Sequence, residues 1–143
     1  MLGGEHEQPH DFARYTFFSL INLLKKNGSI TLTHIHNKIG RIQSELIISK
    51  VKDNHYYGLS AALSEIRDLD WFNQNKLKNE KVDIKNITNE YGVLGLIGPK
   101  SREVLAKTTK ENIENENFPW LKAKEIEINN IKVLALRVNY MGE

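Results

Sequence analysis

"SITLTHIHNKIGRIQSELIISKVKD", residues 29–53, is the stretch that decides the predicted fold. It contains two runs rich in β-branched residues, and Gly40 lies between them, where the chain must turn. Two such runs around a glycine predict an antiparallel β-hairpin. The next residues, "HYYGLSA" at 55–61, continue the pattern. We therefore expect three consecutive strands from this part of the chain.

Helical spacing of apolar residues lies on both sides of these strands. In residues 11–26, "DFARYTFFSLINLLKK", apolar side chains recur every third or fourth position, and Gly28 follows the last of them. The same spacing returns in residues 62–75, "ALSEIRDLDWFNQN". This period predicts a helix with one apolar face in each segment.

The middle of the chain predicts a loop, two strands and a short helix. Residues 76–82, "KLKNEKV", are charged and polar, as in a solvated loop. Residues 82–88, "VDIKNIT", and 92–98, "GVLGLIG", predict strands, and the second is so apolar that we expect it in the interior. "SREVLAKTT", residues 101–109, predicts a helix, for which Pro99 could supply the first helical position.

The end of the chain predicts a second hairpin. In residues 124–140, "KEIEINNIKVLALRVNY", two alternating runs flank Asn129-Asn130, a pair suited to a tight turn with positive φ. Strands and helices mix without a regular βαβ rhythm. The sequence therefore predicts an α+β fold, a mostly antiparallel sheet with packed helices.

The glycines near "GVLGLIGPKS", residues 92–101, suggest a phosphate-binding loop, but the spacing argues against one, since five residues and not four separate Gly92 from Gly98. Such a loop needs four residues between its first glycine and the Gly-Lys pair, and backbone N–H groups that curl around phosphate. Here Pro99 separates Gly98 from Lys100 and removes one of those donors. We interpret the stretch as a strand, a turn and the start of a helix.

Composition narrows the classes of partner. Lysine and arginine number 20 against 18 acidic residues, and the two signs are interleaved, so no basic stripe points to nucleic acid. The absence of cysteine excludes disulfides and thiolate metal sites. No apolar run reaches the roughly 18 residues of a membrane span, and the first ten residues lack a signal core. We expect an intracellular protein of the cytoplasm or mitochondrial matrix, without a membrane partner or targeting segment.

Two pairs of residues in the first hairpin are candidates for chemistry. His34 and His36 alternate, so both rings point to one face; two histidines could bind zinc, but no third ligand has a recognisable spacing. Ser44 and Glu45 are neighbours, so one of them faces inward. An inward carboxylate would be costly without a partner, which is a mark of function, whereas an outward one would be an ordinary surface residue.

Several stretches carry a likeness to a known family: "GSITLTHIHNKIGRIQSELIIS", "RDLDWF", "VDIKNITNEYGVLGLIGPKSREVL", "NFPWLKAKEI" and "VLALRVNYMGE". In this order they resemble the folate-binding domain of the glycine-cleavage T-protein (aminomethyltransferase) superfamily. The likeness is closest to the C-terminal part of dimethylglycine and sarcosine dehydrogenases. It implies a partial T-protein-like folate-binding domain over residues 12–143, with residues 1–11 unassigned.

The resemblance implies binding of reduced folate and transfer of a one-carbon unit to tetrahydrofolate. Glu45 matches the family's second acidic position, near the reacting folate nitrogens, while Ser44 occupies the first. Tyr140 and Glu143 match the "Y-x-G-E" motif, whose glutamate pairs with the pterin ring. A carboxylate can accept two adjacent N–H groups of a pterin. We therefore expect Glu45 as a catalytic residue, Tyr140 and Glu143 as tetrahydrofolate-binding residues, and no metal ligand.

The resemblance also implies an N-methylated amine, of the dimethylglycine or sarcosine type, that a flavin domain oxidises. No G-x-G-x-x-G fingerprint occurs here, so FAD would belong to a domain absent from this chain. The alternating run "VLALRVNY" ends almost at the last residue, and we expect this sequence to be part of a longer protein. The alternative is a non-catalytic regulatory or scaffold relative, suggested by Ser44 in place of an aspartate.

Overall fold

A computed structural model describes residues 21, 24 and 26–139 of the chain. The helix predicted over residues 11–26 lies almost entirely outside the described residues. The described elements are β1 (Ile30–His36), β2 (Ile42–Lys52), β3 (His55–Ser60), α1 (Glu65–Asn75), α2 (Ser101–Ala106), β4 (Lys122–Ile128) and β5 (Ile131–Arg137). Short 3₁₀ turns occur at Ala62–Ser64 and Thr88–Glu90. Neither described α-helix is long and apolar enough to cross a bilayer.

The first sheet confirms the predicted hairpin and third strand. β2 lies in the centre and pairs antiparallel with both β1 and β3. At the turn, the Asn37 side-chain oxygen accepts hydrogen bonds from the backbone N–H groups of Ile39 and Arg41, at 3.1 and 2.9 Å. Gly40 has a φ of 77°, a conformation that glycine adopts without strain. The register then shifts by one residue between Ile35 and His36, and this irregularity places His34 opposite Glu45 across the two strands.

The second hairpin is confirmed as well. β4 and β5 pair antiparallel, and Asn129 and Asn130 both have positive φ, 49° and 65°, as a tight turn of this kind requires. The backbone N–H of Ala123 donates to the carbonyl of Gly28 at 2.7 Å, which links the second hairpin to the start of β1. A Cβ atom at Gly28 would lie 2.7 Å from the Ala123 carbonyl oxygen, so this close approach needs glycine.

The main core lies between the first sheet and α1. Leu46 and Ile48 alternate along β2 and are buried together with Ile35 and Leu24. The half-buried rings of α1, Trp71 and Phe72, pack against this cluster. The Trp71 indole N–H also donates to the carbonyl of His36 at 3.2 Å, which satisfies a polar group at the edge of the core. Mixed helices and antiparallel sheets confirm the predicted α+β class.

The predictions for residues 82–98 were wrong. Neither "VDIKNIT" nor "GVLGLIG" forms a strand, and the second is exposed, with Leu94 97% accessible to solvent. An apolar run becomes a buried strand only when a neighbouring strand pairs with it, and none of the described residues does so here. The helix α2 begins at Ser101, so Pro99 lies before it in the turn and not at its first position.

Candidate functional site

Strand β2 carries Ser44 and Glu45 on opposite faces of the first sheet. Ser44 is buried and faces α1, in line with the core residues Leu46 and Ile48. The Glu45 side chain is 70% exposed. The structure therefore selects the outward orientation for Glu45, so its carboxylate is accessible from solvent.

Glu45 has a partner on the neighbouring strand. His34 Nε2 lies 3.2 Å from Glu45 Oε1, within hydrogen-bonding distance, and the two residues are directly opposite each other. The His36 ring centroid lies 6.2 Å from that of His34. Across residues 26–139, no three histidine, aspartate or glutamate side chains are grouped as a metal ion would require. An exposed imidazole next to a carboxylate can instead bind a ligand N–H or exchange a proton with it.

A second carboxylate, not identified from the sequence, lies behind Glu45 in the core. Asp68 of α1 is only 4% exposed, and its Oδ2 accepts a hydrogen bond of 2.7 Å from the Ser44 hydroxyl. Its other oxygen lies 3.6 Å from Arg67 Nε. The hydroxyl and the guanidinium offset the cost of burying the charge. A signal was present: Asp68 precedes Trp71 and Phe72 by three and four positions, which puts a carboxylate on the apolar face of the helix.

Tyr140 and Glu143, the predicted folate-binding residues, lie outside the described residues. The chain is fixed up to the residue before Tyr140. The Asn139 side-chain oxygen accepts a hydrogen bond of 2.8 Å from the Trp120 indole N–H, and Arg137 donates to the carbonyl of Phe118 at 2.5 Å. These bonds hold the end of β5 and the residues after it against the loop that precedes β4.

At the opposite edge of the first sheet, β3 carries a small aromatic group. The Tyr57 ring lies 5.3 Å from the His55 ring and 6.1 Å from the Tyr91 ring, measured between centroids. A hydrogen bond with Tyr91, followed by burial, raises the pKa of the Tyr57 hydroxyl above its ordinary value. The hydrogen bond to Glu90 likewise raises the pKa of Lys85. Neither group contacts Glu45, and this edge adds no acid or base to the candidate site.

The sequence matches one family model. The model described as the GCVT N-terminal domain covers residues 18–143, which is most of the chain. The matched region includes Ser44 and Glu45 on β2, Asp68 on α1, and the final residues Tyr140 and Glu143.

Curated relatives agree with this match. Dimethylglycine dehydrogenase, mitochondrial, from Homo sapiens is 37% identical over 123 residues, which cover 85% of this chain and 14% of the relative. The Mus musculus protein of the same name is 35% identical over the same shares. Aminomethyltransferase from Oceanobacillus iheyensis is 30% identical over 135 residues, 92% of this chain and 36% of the relative. The chain thus spans between one seventh and about one third of the length of these relatives.

Proposed function

Because this chain belongs to the GCVT N-terminal domain family, we propose that it is the folate-binding portion of an enzyme that transfers a one-carbon unit to tetrahydrofolate. The donor in this proposal is an N-methyl amine of the dimethylglycine or sarcosine type. The observation that carries the proposal is the family match over residues 18–143 together with the dimethylglycine dehydrogenases among the relatives.

In the proposed reaction, Glu45 acts at the folate nitrogens that receive the carbon. Its carboxylate is exposed, and His34 lies 3.2 Å away, so the pair can accept a proton or hold a cation close to a bound ligand. The rigid pairing of β1 with β2 fixes the position of both side chains. The Glu45 side chain is 70% exposed, so its carboxylate is open to a ligand, although the same face is buried farther along at Ile30 and Ser49.

Tyr140 and Glu143 are proposed to hold the pterin ring. A pterin presents an amino group and a ring N–H side by side, and one carboxylate can accept both hydrogen bonds. Asn139, fixed by its bond to Trp120, would set the direction in which the chain reaches the ring. FAD and the amine substrate belong, in this proposal, to a flavin domain outside these 143 residues.

A second candidate is a non-catalytic regulatory or scaffold relative with the same fold. It is favoured by Ser44, which by the family resemblance occupies the T-protein's first acidic position and whose hydroxyl donates a hydrogen bond to Asp68 inside the core. Such a protein would retain the two sheets but bind no reduced folate. Folate binding therefore separates the two candidates.

We expect the chain to bind folinic acid, a stable reduced folate, in a calorimetric titration. Replacing Glu143 by alanine should weaken this binding by about 1.5–3 kcal/mol, the usual cost of losing a hydrogen bond to a charged group. Glu116→Ala removes an exposed glutamate and is the matched control, with no expected change. The proposal would be contradicted if the folded chain showed no saturable binding of folinic acid, or if Glu143→Ala and Glu116→Ala lost the same amount of affinity.

Glu45→Ala should give the opposite pattern in the same titration. A carboxylate that acts on the reacting nitrogen contributes more to the transition state than to ligand binding. We therefore expect the affinity for folinic acid to stay within about threefold of the original value. His34→Ala, which removes the partner of Glu45, should behave in the same way. A loss of affinity as large as that of Glu143→Ala would assign Glu45 to binding instead.

A further inference from the structure

The most exposed apolar part of the described chain is residues 92–98, "GVLGLIG", here called the 92–98 segment. Its four branched side chains are between 49% and 97% exposed: Val93, Leu94, Leu96 and Ile97. Within the described residues, no backbone hydrogen bond joins residues 91–97 to any other residue. At one end the Tyr91 ring packs near the Tyr57 ring, which ties the segment to β3.

Free backbone groups beside exposed branched side chains favour pairing with another strand. Residues 91–99 contain no charge that would oppose such pairing. Uncharged, branched side chains favour strand pairing where the backbone is open. The pairing would satisfy the open N–H and C=O groups and remove apolar surface from water at the same time.

The order of residues in the segment points to a second copy of this chain as the partner. The sequence is nearly symmetric about Gly95. An antiparallel arrangement with a two-fold axis at Gly95 would set Leu94 of one copy against Leu96 of the other. The same arrangement sets Val93 against Ile97, and glycine against glycine at both ends of the segment. Side chains of matching size therefore meet at every position.

The charges that flank the segment obey the same symmetry. The arrangement puts Glu90 of one copy opposite Lys100 of the other, so opposite charges meet at both ends. A parallel, in-register arrangement would instead place Glu90 opposite Glu90 and Lys100 opposite Lys100, so that like charges would meet. Glu90 also bonds to Lys85 at 2.6 Å on the surface, and its second oxygen can accept from the partner's lysine.

We propose that this chain forms a symmetric dimer in which the 92–98 segments of two copies pair as antiparallel strands about Gly95. The same patch meets itself, as in other two-fold interfaces. One pair of short strands buries little surface, so we expect a weak dimer with a dissociation constant in the micromolar range.

Single cysteines test the register, because the chain has none of its own. In Gly95→Cys the two cysteines would lie across the axis, with Cα atoms about 4.5–5.5 Å apart, within the range of a disulfide. In Gly92→Cys, the matched control, they would be six residues out of register, about 20 Å apart. An added Cβ atom has room at both positions: it meets nothing within 4 Å at Gly92, and Ile97 Cδ1 at 3.7 Å at Gly95.

We expect the mass of the full 143-residue chain in sedimentation equilibrium to rise from monomer toward dimer across the micromolar range. Under mild oxidation, Gly95→Cys should form a covalent dimer at least about tenfold faster than Gly92→Cys, since only its cysteines reach disulfide geometry. A monomer at every concentration would overturn the proposal. So would equal cross-linking rates, which would indicate random collision and not a fixed register.

Discussion

Replacing Asp68 by alanine is expected to lower the free energy of unfolding by about 2–4 kcal/mol. The change removes the acceptor of the Ser44 hydroxyl, which is buried and has this carboxylate at 2.7 Å. It also removes the anion near Arg67 and leaves a small cavity between α1 and β2. Urea denaturation followed by tryptophan fluorescence measures the loss, because Trp71 packs against the same core.

Asp70→Ala is the matched control for this experiment. Asp70 lies on the same helix, and it is exposed, so its removal should change stability by less than about 0.5 kcal/mol. Asp68→Asn keeps an acceptor for the Ser44 hydroxyl but loses the charge. Its free energy of unfolding should therefore lie between those of the two alanine variants. Adding Ser44→Ala to Asp68→Ala should lower the free energy of unfolding little further, because the two side chains form one hydrogen-bonded pair. Equal effects of the two alanine variants would show that the buried carboxylate stabilises nothing.

Local patterns in the sequence predicted the two hairpins and α1 correctly. Gly40 marked the first turn, and Asn129-Asn130 indicated a second turn with positive φ, which both asparagines have. Runs of β-branched residues fixed the strands on both sides. These features depend on residues a few positions apart, and so they can be recognised without knowledge of the fold.

What the sequence left open depended on distant residues. Alternation established that either Ser44 or Glu45 faces inward, but the choice depends on Asp68, which is 24 positions from Ser44 and supplies the buried acceptor. Likewise, the contact between His34 and Glu45 depends on the register shift between Ile35 and His36, without which His34 would lie opposite Ser44. The roles of Glu45, Tyr140 and Glu143 remain predictions, since they depend on a ligand.

The 92–98 segment shows the limit of hydrophobicity as a predictor of burial. Its composition is that of an interior strand, yet Leu94 is almost fully exposed. Composition reports how much free energy a segment would gain from burial, whereas its environment depends on whether a partner strand is adjacent. The same property that made the prediction wrong makes the segment available for pairing with a second copy.

Ile35→Ala is expected to destabilise the chain by about 3–4 kcal/mol, which is a large share of the 5–15 kcal/mol typical of a folded domain. Ile35 is 1% exposed and belongs to the cluster that contains Leu46, Ile48 and Leu24. Removing three carbon atoms loses their transfer free energy and opens a cavity that the paired strands β1 and β2 cannot close. The midpoint of urea denaturation should fall without a change in its slope.

Ile39→Ala provides the comparison, because it makes the same chemical change four residues away. Ile39 lies in the turn between β1 and β2 and is 73% exposed, so the loss should stay below about 0.5 kcal/mol. A difference of at least about 2 kcal/mol between the two variants is therefore expected from burial alone. Similar losses would mean that this cluster is not the core that holds β1 in place. In that event the position of His34 opposite Glu45 would have to be fixed by the turn at Asn37 and by the register shift between Ile35 and His36 instead.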